Sequence, residues 1–175
     1  VKPRVFRNTE LSYRNDLAHW CEDHGYLGIM AEGWDKYLGW RSPNYLYHPV
    51  GRNKIKVLLK NYKLSDDLAF RFSNRGWESW PLSAETYTEW IHSHHGDGQT
   101  INLFMDFETF GEHQWEDTGI FEFLAHLPEE IYKHKDNDFV TPSGAIDRYE
   151  VHGEVDTPDY ISWADVERDL SAWRS

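Results

Sequence analysis

The stretch Ile101–Trp115, INLFMDFETFGEHQW, decides how the rest of the chain is read. It opens as an apolar run of the kind that fills a strand. It then carries Asp106, Glu108, Glu112 and His113 in close succession. Strand interiors disfavour Asp, so the acids mark the place where the strand stops. Alternation along a strand puts Asn102, Phe104, Asp106 and Glu108 on one face and Leu103, Met105 and Phe107 on the other. Asp106 sits where the apolar run ends, and Glu108 and Glu112 lie further out on the loop. The plainer alternative is that Asp106 caps the following turn.

The same pattern, an apolar run ending in polar groups, recurs upstream. Lys2–Phe6 reads as a strand running into Asn8, Thr9 and Glu10. Leu11–His24 has helical spacing and a stop at Gly25. Tyr26–Ala31 is a second strand, ending at Glu32. Residues 39–54 read as loop and Ile55–Lys63 as a short amphipathic helix. Leu68–Phe72 is a third strand, ending near Asn74. Ser83–His92 is a helix with Ser83 at its N-cap, and Ser93–Gln99 is a turn. Downstream, Gly119–Leu127 is a helix stopped at Pro128 that resumes over Glu129–Lys133. Phe139–Thr141 reads as a fifth strand, Ser143–Tyr149 as a helix and Trp163–Trp173 as a final helical turn.

Strands alternating with helices imply an α/β fold with parallel strands. Barrels of this kind carry their sites at strand C-terminal ends, where Glu10, Glu32, Asn74 and Asp106 fall. A complete eightfold barrel takes about 250 residues. With 175 residues, the expectation is a single domain over 1–175 that forms part of a barrel.

Composition narrows the partners. Aromatics make up 16% of the chain, with nine Trp, which excludes a disordered polymer. Aromatic faces suit stacking on sugar rings, although most of them fill a core in any fold. The formal charge of −12 argues against nucleic acid and against an anionic membrane surface. A neutral glycan fits. The one cysteine, Cys21, allows no internal disulfide and favours a reducing compartment such as the cytoplasm. His92, His94 and His95 are metal-ligand types, but they lie in a polar stretch that reads as a solvated turn. No metal or cofactor is expected.

Glycoside hydrolysis needs two carboxyl groups. One protonates the leaving oxygen and the other attacks the sugar, about 5–5.5 Å away when configuration is retained. Asp106 has three candidate partners: Glu10, Glu32 and Glu108.

Five segments carry a resemblance: VFRNTELSY (5–13), GIMAEGWDKYLGWRSPNYLYHP (28–49), LAFRFSNRGW (68–77), INLFMDFETFGEHQWEDTGIFEFL (101–124) and ISWADVERDLSAW (161–173). On these the chain resembles glycoside hydrolase family 57, in its α-amylase-like members. The resemblance implies an incomplete (β/α)7 barrel acting on α-glucans with retention and without a cofactor. It implies a strand-end Glu as nucleophile and a later strand-end Asp as acid/base. The Asp falls on Asp106. The family's nucleophile precedes a helix, a Gly and the next strand, a context Glu10 has and Glu32 lacks. The resemblance therefore assigns the nucleophile to Glu10. Glu32, Trp34, Asn74, Glu108, His113, Trp115, Asp169 and Trp173 are expected to bind substrate.

The family's His-Gln-Pro motif is absent. The first barrel strand and the C-terminal helical region are therefore expected to be missing from this chain. Within the family, 4-α-glucanotransferase activity is the alternative. A metal-dependent carbohydrate deacetylase and a non-catalytic glucan-binding protein are more distant ones. A chain with an exposed strand edge is expected to be poorly stable by itself, and a cooperative melt of these 175 residues at high temperature would refute that.

Overall fold

The computed structural model of the chain describes residues 2–164 and 167–169. They form two compact units. One comprises Val1–Asn61, Gly98–Asn102 and Val140–Ser175, and the other Tyr62–Asp97 and Leu103–Phe139.

The first unit holds a five-stranded sheet. Its strands are β1 (Val5–Arg7), β2 (Gly28–Ala31), β3 (Leu46–Pro49), β4 (Lys56–Leu59) and β5 (Val151–Val155), in the order β1-β2-β4-β3-β5. β1, β2 and β4 run parallel, with Arg7 opposite Met30 and Ala31 opposite Leu59. A single parallel bridge from Lys60 to Asn102 continues the series. β3 is antiparallel to β4, and β5 is parallel to β3 across a bulge. Parallel strands covered on both faces read as continuous apolar runs. Ile29, Ala31, Val57, Leu58 and Leu59 are accordingly all buried. Around them pack Tyr13, Ala18, Cys21, Leu38, Tyr47, Ile55, Val155 and Ile161. Burial pushes the Cys21 thiol up to about 11, so it packs as a small apolar group.

Helix α1 (Asn15–Asp23) links β1 to β2, and the short α2 (Asp35–Leu38) follows β2. The second unit contains α3 (Tyr62–Asp66), a π-helical turn over Asp67–Arg71, α4 (Ala84–His92) and α5 (Ile120–Tyr132). Ser83 caps α4 by accepting from the Thr86 N–H at 3.2 Å. The Tyr87, Phe72 and Phe123 rings meet edge to face. α6 (Pro142–Arg148) belongs to the first unit and packs Ile146 against Gly28.

Several local expectations are corrected. Ile55–Lys63 is a strand followed by α3, because the run Ile55, Val57, Leu58, Leu59 is buried all round and has no polar face. Leu68–Phe72 is helical: Leu68, Ala69 and Phe72 are buried at helical spacing, and a short apolar run is ambiguous by itself. Residues 39–54 contain β3, and β5 was not anticipated. The strand expected at Ile101–Phe107 reduces to the Asn102 bridge, with a 3-10 turn already at Phe107–Thr109. Phe139–Thr141 is exposed chain leading to the Thr141 cap of α6. α5 runs through Pro128 because Ile120, Phe123, Leu127 and Ile131 keep one buried stripe across it.

Glu22 near the end of α1 ties that helix to the start of β4. It accepts the Lys54 and Ile55 backbone N–H groups, each at 2.9 Å, with Arg52 at 3.4 Å. Burial opposes its ionisation, but the two N–H donors and Arg52 outweigh burial, and its pKa falls below the usual value. A depressed folded-state value contributes stability above the unfolded pKa of about 4.5, lost as pH falls through the folded value. Glu22→Gln is expected to lower stability by about 1–3 kcal/mol at pH 7. Its melting temperature should then fall less between about pH 5 and pH 3 than that of the parent, as thermal melts across that range would show.

Candidate active site

Sheet register assembles the first group of charges. Ala31 and Leu59 are paired, so the next residues, Glu32 and Lys60, emerge side by side at the C-terminal edge. Glu32 is 1% exposed. Its Oε1 accepts the Gly33 N–H at 2.9 Å, and its Oε2 lies 3.7 Å from Lys60 Nζ and 3.6 Å from Arg168 Nε. Two cations thus compensate a carboxylate taken out of water. Beside it stand polar groups of the same edge: Asn61 donates to Asn44 Oδ1, and Asn102 donates to the Leu59 carbonyl.

Glu10 follows β1 in the turn Thr9–Leu11, where Asn8 Oδ1 accepts the Thr9 N–H. Glu10 and Leu11 have φ of +51° and +48°, a region costing about 1–2 kcal/mol per non-glycine residue. The strained turn is held from the far end of the chain. The Glu10 carbonyl accepts from Ser162 Oγ at 2.8 Å and from the Trp163 N–H at 3.1 Å. The Glu10 carboxylate accepts from Trp163 Nε1 at 2.7 Å. Arg7 and Lys60 both lie against the Trp163 ring, at 5.1 and 4.9 Å from its centroid. Glu10, Trp163, Lys60, Glu32 and Arg168 therefore form one connected cluster.

Trp34 stands at the head of α2, edge-on to Tyr37 and with Lys36 Nζ 4.9 Å from its ring. It is half-buried and packs on the core. Asp169 is half-buried on a bend, and Trp173 lies outside the described residues.

In the second unit, Asp106 has extended backbone and precedes the 3-10 turn Phe107–Thr109, with its carbonyl accepting the Thr109 N–H. Buried Thr109 and Gln114 anchor the loop, Gln114 through its amide to the Ala69 carbonyl at 2.9 Å. The loop then presents Glu108, Glu112, His113 and a 65%-exposed Trp115 to solvent. Asn74 uses its side-chain oxygen on the Gly76 N–H, a turn-closing bond. His92 and His95 do not simply face solvent: the His92 ring stacks on His134 at 3.8 Å and meets His95 at 4.1 Å. Among the described residues no three His, Cys, Asp or Glu side chains are arranged to hold a metal ion.

Sequence reasoning missed Lys60, Trp163 and Arg168 as parts of this site. Lys60 ends the VLL run and carries the same strand-end signal as Glu10 and Glu32. Reading Ile55–Lys63 as a helix hid it.

The sequence model of Glycosyl hydrolase family 57 matches residues 1–158. The chain belongs to that family. It is 53% identical over 175 residues to a protein of Methanocaldococcus jannaschii named "Putative alpha-amylase", covering 98% of this chain and 36% of that protein. The chain thus spans little more than a third of that relative's length. Two solved structures share the fold. One is the 4-alpha-glucanotransferase of Thermococcus litoralis, with a TM-score of 0.71 at 17% identity, over 91% of this chain and 24% of that one. The other is the alpha-amylase AmyC of Thermotoga maritima, with a TM-score of 0.61 at 16% identity, over 99% and 46%. The α/β fold, with parallel strands that form part of a family 57 barrel, is the one anticipated from the strand pattern.

Gly33 tests the cluster's tightness. A Cβ there would lie 2.1 Å from the Lys60 carbonyl oxygen and 3.1 Å from Pro43. Gly33→Ala must push β4's end away from Glu32. The expected cost is about 1–3 kcal/mol, which a melting curve would read as a drop of roughly 3–10 °C.

Proposed function

We propose that this chain carries the catalytic carboxylates of a retaining glycosidase acting on α-glucans, of the α-amylase type. The observation that carries the reading is Glu10: a strand-end glutamate on a strained turn, its carboxylate held, among the described residues, by the neutral Trp163 Nε1–H. Strain of this kind persists only where surrounding structure enforces it, and it clusters at functional sites. Family membership and the relative's name supply the substrate class.

In this mechanism Glu10 attacks the anomeric carbon as a carboxylate. Asp106 gives its proton to the glycosidic oxygen. The sugar is then carried on Glu10 as an ester until Asp106, now a base, takes a proton from water and hydroxide adds at the anomeric centre. Each displacement inverts the centre, so the product retains configuration. If a second sugar hydroxyl replaces water in the second step, the same residues perform 4-α-glucanotransfer. Trp115, His113 and Glu108 on the Asp106 loop, with Trp34 and Asp169, are the proposed sugar contacts. Glu32, expected from the sequence to bind substrate, is instead read as an enclosed charge that holds Lys60 and Arg168 in place.

The test is trapping in the active protein. A 5-fluoro-α-glucosyl fluoride is expected to leave its sugar on Glu10, found by mass spectrometry of the peptide containing FRNTEL. Glu10→Ala and Asp106→Asn should each lower kcat by about 10³-fold or more, and Glu32→Ala should leave measurable turnover. A label on Glu32 instead would move the nucleophile to that residue. Normal turnover in Asp106→Asn would remove the acid/base assignment. Product analysis with added glucose separates hydrolysis from transfer.

A further inference from the structure

We infer that Trp163 is the positioning residue for Glu10, and that the cations on its ring act on the nucleophile through the indole N–H. This rests on the reading of Glu10 as nucleophile. The geometry carries it. Trp163 Nε1 donates to Glu10 Oε2 at 2.7 Å, while Glu10 Oε1 has no partner among the described residues. One carboxylate oxygen is therefore fixed and the other left to react. The backbone of the same segment holds the Glu10 carbonyl twice, through Ser162 Oγ and the Trp163 N–H. Both ends of the glutamate are thus located by one short segment.

Arg7 and Lys60 lie 5.1 and 4.9 Å from the indole centroid, within the range of cation–π attraction. Cations at the ring draw electron density from the indole and strengthen its N–H as a donor. Neither cation is among the hydrogen-bond partners of Glu10. A direct ion pair would satisfy the attacking oxygen and blunt it. An indole between cation and carboxylate favours the anion and keeps Oε1 open. Lys60 also pairs with Glu32, so the same ammonium compensates one carboxylate and supports the other through the ring.

The experiment replaces Trp163 with benzothienylalanine, which keeps the bicyclic shape and swaps the N–H for sulfur. The expected result is a fall in kcat of about 10–100-fold with KM nearly unchanged. The acidic limb of the pH–rate profile should also move upward by about one unit, since the anion loses a donor. Arg7→Met, at an exposed position, should lower kcat about two- to fivefold in the same direction. In the active protein, the Trp163 indole proton should resonate downfield and titrate with the carboxylate. Glu10→Gln should abolish that titration. An isostere with parental kcat and an unmoved acidic limb would overturn the positioning role, as would an indole proton indifferent to Glu10→Gln. If Glu10→Gln instead kept full turnover, the nucleophile assignment itself would fall, and this inference with it.

Discussion

The buried carboxylate of Glu32 is the constraint on which the first unit's site depends. An ionised group at 1% exposure is stable only with its counter-charges in place, and removing one partner from such a pair typically costs about 3–5 kcal/mol. Meeting that demand fixes the surroundings. β2 and β4 must be in the observed register to put Lys60 beside Glu32. Residue 33 must lack a Cβ for the chains to approach. Arg168 must arrive from the far end of the sequence, where the Ser162 N–H donates to the Arg168 carbonyl at 3.1 Å. The segment so placed is the one that holds Glu10.

Two glutamates that follow neighbouring strands are thereby set in different environments. Glu32 is enclosed, with two cations near one oxygen and a backbone N–H on the other. Every feature favours a fixed charge. Glu10 is half-buried, on left-handed backbone, with one neutral donor. A nucleophile that must form and then release an ester bond is better served by the second environment. Full ion pairing would stabilise the free anion more than the developing ester and so raise the barrier. This contrast is the physical ground on which the nucleophile is proposed to be Glu10 rather than Glu32.

What could be read in the sequence was the signal that survives without tertiary contacts. The apolar run ending at Glu32 is legible because a parallel strand buried on both faces is nearly all apolar, and the shorter run before Glu10 because Val5 and Phe6 precede a polar turn. Ser83 was legible because its capping bond is local. Ile55–Lys63 and Leu68–Phe72 were misread because four or five apolar residues fit a strand or a buried helical turn equally well, and only the neighbours decide. β3 and β5 escaped because each is short and is stabilised by pairing with a distant partner. Trp163 and Arg168 could not be assigned to Glu10 and Glu32 because their partners lie more than a hundred residues away, and no spacing rule reaches that far.

The Asp106 loop follows the opposite logic. Its backbone is fixed by buried Thr109 and Gln114, while Phe107 at 91% exposure and Trp115 at 65% stand in solvent. Leaving two large aromatic rings exposed forgoes roughly 1.5–3 kcal/mol of burial each. An anchored loop carrying exposed rings beside carboxyl groups suits a ligand that stacks and donates hydrogen bonds at once, as the proposed pyranose would. Under the proposed mechanism the acid/base residue changes protonation twice in each cycle, which a solvent-facing loop permits more readily than an enclosed ion cluster such as that of Glu32. The contrast is one of burial: Glu32 is enclosed, while the loop that follows Asp106 stands in solvent.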